Sequence, residues 1–413
     1  MYKRFITKFI IEALEDTPAI LITGARQTGK STLCRELIEK EVFKGTMVTL
    51  DDPAVLLAVK KDPLGFLQDI GKRVIIDEVQ RAPELFLSMK KLIDEDRKGR
   101  RFILTGSADV MTLPKVADSL AGRIEMHNLW PLSQAEINDT KSTFLETLVS
   151  EESRFTGKRI EWKHIIQAIK TGGYPESLQR TNESRRYQWF ESYLTSIMQK
   201  DIKELSNIEG LIQIPNILQL IATRVGSTIN FSDIGRLAGI KTPTLHRYLA
   251  LLEQVFMIHR IPAWTANVEG QFVKSPKVIL NDTGLLCHLR GEGVESLLEN
   301  RTTAGSFFEN FVVLEIIKQL SWSDIHLKPY HFSIHQGAEV DLVLEDRKKQ
   351  LYGIEIKSTA TIDEGAFKGL KKLSALAGSK FRKGIVLYTG DHALSGFGKN
   401  IYAVPVSALW SSE

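Results

Sequence analysis

The run Gly24-Ala25-Arg26-Gln27-Thr28-Gly29-Lys30-Ser31 satisfies the pattern G-x-x-x-x-G-K-[ST] without a mismatch. Each position has a physical task. The glycines let successive backbone N–H groups converge on phosphate oxygens, and the helix that follows adds positive potential at its N-terminus. Lys30 reaches the β- and γ-phosphates, Ser31 offers its hydroxyl to Mg²⁺, and Thr32 ends the loop as the helix begins. The flanks agree, because Ala19-Ile20-Leu21-Ile22-Thr23 is a short apolar β-type run, while Leu33, Leu37 and Ile38 fall at helical spacing. These residues imply a nucleoside triphosphate, ATP with Mg²⁺, cradled from Gly24 to Thr32.

Two later runs supply the rest of such a site. Arg73-Val74-Ile75-Ile76-Asp77-Glu78 is an apolar strand ending in two carboxylates. Asp77 would hold Mg²⁺ through water, and Glu78 would act as general base on the attacking water. Arg101-Phe102-Ile103-Leu104-Thr105-Gly106-Ser107 ends in small polar residues, of which Ser107 is the first candidate for a γ-phosphate sensor and Thr105 the second. Thr-Gly-Ser is equally a common strand-ending turn. Strands alternating with helices, with ligand groups at the strand C-terminal ends, imply a parallel three-layer α/β sheet.

The last third carries a different constellation. Gly337-Ala338-Glu339-Val340-Asp341-Leu342-Val343-Leu344 and Tyr352-Gly353-Ile354-Glu355-Ile356-Lys357-Ser358 are β-type runs bearing charge. Residues i and i+2 of a strand share a face, so Glu355 and Lys357 project together. A hairpin through the polar turn from Glu345 to Gln350 would bring Asp341 beside them. Val340, Leu342, Ile354 and Ile356 imply a half-buried sheet whose opposite face carries those charges.

Between the two lies a polar, helix-rich stretch from Ser133 to about Glu191, with Gly172-Gly173-Tyr174-Pro175 as its clearest turn. Arg185-Arg186-Tyr187-Gln188-Trp189-Phe190 and Tyr193 interleave basic and aromatic residues. We read this as an amphipathic helix with Trp189, Phe190 and Tyr193 in the core, in preference to a nucleic-acid platform. From Phe231 to Leu249 the pattern is a helix-turn-helix: Ile234, Leu237 and Ala238 face inward, Gly239 ends the first helix, and Thr242 caps a second with Pro243 in its first turn. Met257 to Ile261 follows as a wing strand, which makes a winged helix the best description. Lys241, Thr244, His246, Arg247 and Tyr248 would then be exposed to a DNA groove or phosphate backbone.

Taken in order, Gly24 to Ser31, Leu50-Asp51-Asp52-Pro53, Ile76-Asp77-Glu78-Val79-Gln80, Leu104-Thr105-Gly106-Ser107, Ser119-Leu120-Ala121-Gly122-Arg123 and Gly172-Gly173-Tyr174-Pro175 resemble the AAA+ branch of P-loop ATPases. The closer resemblance is to a prokaryotic family with an AAA module followed by a C-terminal domain of uncharacterised function, and it spans nearly the whole chain. It implies ATP hydrolysis, and it implies that Arg123 senses the γ-phosphate from its own subunit or a neighbouring one. The C-terminal strands are similar to the PD-(D/E)XK nuclease core. That resemblance implies metal binding by Asp341, Glu355 and a helix carboxylate, Glu309, with Lys357 positioning water or stabilising phosphate charge. Related domains keep this fold without cutting anything, so a retained scaffold is the expected outcome ahead of an active nuclease.

At 413 residues the chain exceeds one comfortable core. We divide it into an AAA+ core (1–135), a helical lid (136–200), a winged-helix-like domain (201–265) and a PD-(D/E)XK-like α/β domain (266–413). The 54 Lys and Arg against 50 Asp and Glu leave a net charge of +4, which neither demands nor excludes nucleic acid. Cys34 and Cys287 provide neither a disulfide framework nor zinc spacing, as suits a reducing cytosol. The N-terminus reads as an amphipathic helix and not a signal segment, and no run approaches the roughly 18 apolar residues of a membrane span. The expectation is a cytoplasmic ATPase, with no membrane partner, that binds or remodels DNA, single-stranded and branched forms included, and whose self-association is open. The alternative is a nucleotide-controlled switch that binds a protein partner without touching DNA.

Overall fold

The strands expected from the apolar runs form in a computed structural model that describes residues 2–107, 120–152, 154–203, 213–266, 274–334 and 337–411. β1 (Ala19–Thr23), β2 (Thr46–Thr49), β3 (Arg73–Asp77), β4 (Arg101–Gly106) and β5 (Ile124–Asn128) make an all-parallel sheet in the order β2-β3-β4-β1-β5. Parallel strands are covered on both faces, which is why β1 and β4 are apolar almost without alternation. Ile20, Ile22, Ile75 and Ile103 pack with Ile10 of helix Thr7–Asp16 and Leu33 and Leu37 of helix Lys30–Glu39. Leu21, Val74, Ile76, Phe102 and Leu104 pack on the other face, against Phe86, Met89 and Leu92 of helix Leu85–Glu95. The phosphate-binding run therefore leaves the C-terminal end of a central strand and enters a helix.

The middle body is helical. Helix Glu183–Ser196 buries Trp189, Phe190 and Tyr193 and runs on into a π-helical turn, Ile197–Ile202. Helices Ile214–Ala222, Phe231–Ala238 and Thr242–Gln254 are followed by β6 (Ile258–Ile261), antiparallel to β7 (Lys277–Leu280), and Thr228 adds a bridge to Lys277. The boundary expected after residue 265 therefore falls between two paired strands.

The C-terminal body begins with helix Arg301–Leu320 and continues through β8 (Lys328–Ile334), β9 (Ala338–Glu345), β10 (Leu351–Lys357), helix Lys368–Ala377, β11 (Phe381–Tyr388) and β12 (Ile401–Pro405). β8, β9 and β10 are antiparallel neighbours, and β11 and β12 join in parallel, giving the order β12-β11-β10-β9-β8. The sheet is not half-buried as its alternation suggested. Leu342, Leu344, Ile354 and Ile356 pack with Phe308 and Val312 of helix Arg301–Leu320, while Val340, Val343 and Leu351 pack with Leu370 and Leu373 of helix Lys368–Ala377. With both faces covered, Asp341, Glu345 and Glu355 are buried, while Glu339 is exposed and Lys357 half-buried. Among the described residues no helix is long and apolar enough to cross a membrane.

Candidate functional site

The phosphate loop is shaped by backbone conformations that ordinary residues resist. Gly24 has φ 144°, and a Cβ there would lie 2.3 Å from the carbonyl oxygen of Leu129, so no side chain fits. Gly29, at φ 98°, caps helix Lys30–Glu39. Thr28 donates its hydroxyl to the Ala25 carbonyl, and Arg4 donates to the Thr28 carbonyl at 2.7 Å, bracing the loop from the N-terminal segment. Lys30 Nζ donates to the carbonyls of Gly24 and Ala25 at 2.9 and 2.8 Å. Burial pushes its pKa down to about 8 against the pull of Glu78 and Asp77.

The expected metal pair is assembled. Ser31 Oγ donates to both oxygens of Asp77, at 2.9 and 3.0 Å, although the two residues come from different elements. Thr105 also donates to Asp77, and its hydroxyl accepts the Glu78 N–H at 3.2 Å. One hydroxyl and one carboxylate side by side suit Mg²⁺, which takes few protein ligands and fills its shell with phosphate and water. Glu78 sits in the left-handed region, φ 59° and ψ 45°, where a non-glycine residue is strained, and such strain gathers at functional positions. Its carboxylate accepts from Ser107 Oγ at 3.3 Å and from the Gln80 amide, which also donates to Ser107 at 3.2 Å. Both sensor candidates thus reach the site, Thr105 at Asp77 and Ser107 at Glu78. Gln80 was not singled out for a role, although it stands in the quoted Asp-Glu-Val-Gln run.

Arg123 does not reach this site. It precedes β5, at the end of the sheet opposite the loop, and pairs with Asp94 at 2.7 and 3.0 Å. A sequence scan sees only its distance along the chain from Glu78, not the direction in which β5 runs. The arginine that meets the loop from within is Arg26, whose Nε lies 2.7 Å from both oxygens of the buried Asp201 on the π-helical turn. Trp189 Nε1 donates to the Gln27 side chain at 3.1 Å, and the Tyr193 hydroxyl contacts the Arg26 carbonyl at 3.4 Å. The basic-aromatic helix therefore grips the phosphate loop. The Gly172-Gly173-Tyr174-Pro175 turn braces this grip, since the Tyr174 and Tyr193 hydroxyls meet at 2.9 Å and the Gly173 N–H donates to the buried Asp282 carboxylate.

In the middle body Lys241, His246 and Arg247 are exposed, whereas Thr244 is half-buried and not exposed as expected. Tyr248 is buried. It is 3 % exposed and packs with Leu245, Leu249 and Leu252. Leu237 also departs from expectation at 51 % exposure, because Gly235 fills the inward position against the Ile240 carbonyl. Thr242 is the first helical residue, and Lys241 occupies the cap position without a side-chain bond.

At the C-terminal sheet the β9–β10 hairpin forms as expected, and Asp341 accepts the Ile356 N–H at 2.8 Å. Lys357 donates to Glu355 at 2.7 Å. The centre of the cluster, however, holds an ammonium. Lys277 of β7, with no exposed surface, pairs with Glu309, with Asp341 at 3.2 Å and with Glu339 at 3.5 Å. Burying an ammonium costs several kcal/mol, while a unit-charge contact near 3 Å returns roughly 5 kcal/mol in a protein-like dielectric. Burial therefore lowers the Lys277 pKa, but Asp341, Glu309 and Glu339 together raise it by more, and it stays charged. Burial, with Asp341 adding to it, pushes Glu309 and Glu355 each up to about 8. Among the described residues no group of three His, Cys, Asp or Glu side chains is disposed to hold a metal ion. Glu309, Asp341 and Glu355 do not form the expected ligand set: the Lys277 ammonium pairs with Glu309 and Asp341, and Lys357 pairs with Glu355. A distance of 64 residues from Asp341 hid Lys277.

Three family descriptions match successive parts of the chain: an AAA domain over residues 16–138, and two domains of unknown function, DUF8612 over 163–296 and DUF4143 over 304–409. An uncharacterized protein of Mycobacterium tuberculosis is 28% identical over 399 residues, covering 96% of this chain and 82% of its own. Another, from Methanocaldococcus jannaschii, is 23% identical over 365 residues, with 85% and 78% covered. The Thermotoga maritima RuvB Holliday junction branch migration motor aligns over 63% of this chain and 90% of its own at 17% identity, with a TM-score of 0.31 that is too low to carry an argument. The AAA match lies on the segment that builds the parallel sheet, the phosphate loop and the Ser31–Asp77–Glu78 site. Residues 16–138 form an AAA-type nucleotide-binding ATPase domain.

Proposed function

We propose that this ATPase works on DNA, which the middle body engages through helix Thr242–Gln254. The observation that supports this reading is the exposure of Lys241, His246 and Arg247 on a helix whose other face, Leu245, Tyr248, Leu249 and Leu252, is buried. Two preceding helices and the β6–β7 pair have the order of a winged helix. Basic side chains so placed meet phosphates and release counterions, so binding weakens as salt rises.

At the nucleotide site Lys30 would leave the loop carbonyls for the phosphates, and Ser31 and Asp77 would hold Mg²⁺. Bound Mg²⁺ screens the charge of the β- and γ-phosphates. Glu78 would take the proton of the attacking water, oriented by Gln80 and Ser107. A cleft of ≈ 450 Å³ beside the loop, lined by Arg4, Thr32, Leu33, Pro175 and Gln179 among others, offers room for the nucleoside.

The C-terminal body has the element order helix, three antiparallel strands, helix, parallel strand, with Glu309 on the helix, Asp341 on β9 and Glu355 and Lys357 on β10. This supports the nuclease-like fold as a scaffold without cleavage. The deciding experiment for the DNA reading is a salt series with duplex, single-stranded and branched DNA on the intact chain and on Lys241→Glu/Arg247→Glu. We expect weaker binding and a flatter salt slope in the variant. Superimposable curves would remove DNA contact by this helix.

A further inference from the structure

We infer that Lys277 is a resident cation that takes the place of a divalent metal ion among Glu309, Glu339 and Asp341, so that the C-terminal body is held by an internal ammonium and needs no metal. The ammonium lies within ion-pair distance of all three carboxylates and is fully enclosed. Its position is fixed by three independent elements. β7 supplies the lysine, helix Arg301–Leu320 supplies Glu309, and β9 supplies Glu339 and Asp341. Asn310, the residue after Glu309, accepts the Leu280 N–H at 2.9 Å and donates to the Leu280 carbonyl at 3.0 Å, locking β7 to that helix. These bonds hold the β7 backbone from which the Lys277 side chain extends.

A divalent ion needs several oxygens converging on one point, and here the convergence point is an Nζ. An ion entering beside the ammonium would meet repulsion from it and from Lys357, which already pairs with Glu355. Among the described residues two buried carboxylate oxygens of this group lack a hydrogen bond: Glu309 Oε1, which faces the Lys277 ammonium, and Glu355 Oε2. That leaves one oxygen for a metal, and one oxygen does not make a metal site. The lysine also ties the middle body to the C-terminal body, because the strand carrying it pairs with β6. This inference stands on the carboxylate geometry and is independent of whether helix Thr242–Gln254 binds DNA.

The test uses the nucleotide-free full chain carrying Asp77→Asn, which removes the other carboxylate-hydroxyl pair, with Mn²⁺ as the probe followed by its EPR signal and by thermal unfolding. With Lys277 present we expect no stoichiometric Mn²⁺ binding and the same unfolding midpoint in EDTA and in Mn²⁺. Lys277→Ala should unfold at lower temperature in EDTA, bind one Mn²⁺ and recover its midpoint. Adding Asp341→Asn should abolish both the binding and the recovery. If Lys277→Ala folds only when Mn²⁺ is supplied, that supports the inference equally. A Lys277-containing chain that binds one ion, lost on Asp341→Asn, would overturn it, as would a Lys277→Ala chain that Mn²⁺ neither binds nor rescues.

Discussion

Lys30 and Glu78 act at different stages, and their variants should separate accordingly. Lys30 supplies charge to the ground-state phosphates, so Lys30→Ala should lose nucleotide affinity, read by titration with a fluorescent nucleotide. Glu78→Gln should keep that affinity and lose turnover by a factor of about 10² or more, the usual worth of a general base. Gln80→Ala should give a smaller loss in turnover at unchanged affinity, since Gln80 donates to Glu78 and Ser107 and acts through the general base. The residues of this site were legible because each stands in a short run whose neighbours declare a strand end or a helix start. Arg123, Arg26, Asp201 and Lys277 were not legible in the same way. Their roles depend on pairing with residues far along the chain, and no local pattern encodes the partner.

At the scale of elements, most helices and strands follow from apolar spacing, and the errors are instructive. Leu245, Tyr248, Leu249 and Leu252 recur at i, i+3, i+4 and i+7, which is a core stripe, so the burial of Tyr248 was present in the sequence and was overruled by its proximity to His246 and Arg247. The alternation of β9 and β10 suggested one wet face, but two flanking helices cover both, and a strand pattern cannot announce a helix that arrives from elsewhere. Asn310 offers a test at this scale. Asn310→Leu preserves bulk but leaves the Leu280 N–H and carbonyl buried without partners, at about 1–3 kcal/mol each. A lower midpoint in denaturant should follow, with hydrogen exchange fastest at β7. An unchanged midpoint would mean that β7 is held by β6 alone.

Across the whole molecule, the nucleotide domain is gripped by the body that carries the basic helix. Arg26 meets Asp201, Gln27 meets Trp189, and Gly173 and Asp282 tie this grip to the segment following β7. Lys318 and Glu315 on helix Arg301–Leu320 reach Leu132 and Gln134, so the C-terminal body also touches the ATPase domain. Arg26→Ala would remove the ion pair with the buried Asp201 and loosen the hold of the π-helical turn on the phosphate loop. Exchange at Glu183–Ser196 should rise in that variant, and any response of turnover to DNA should fall.

That response is the measurement on which the account turns. ATP turnover by the full chain, followed while duplex, single-stranded or branched DNA is titrated at low salt, should rise with DNA, should show a diminished response in Lys241→Glu/Arg247→Glu, and should disappear in Glu78→Gln. Turnover that depends on Glu78 but is indifferent to every form of DNA, with no DNA bound at low salt, would contradict it.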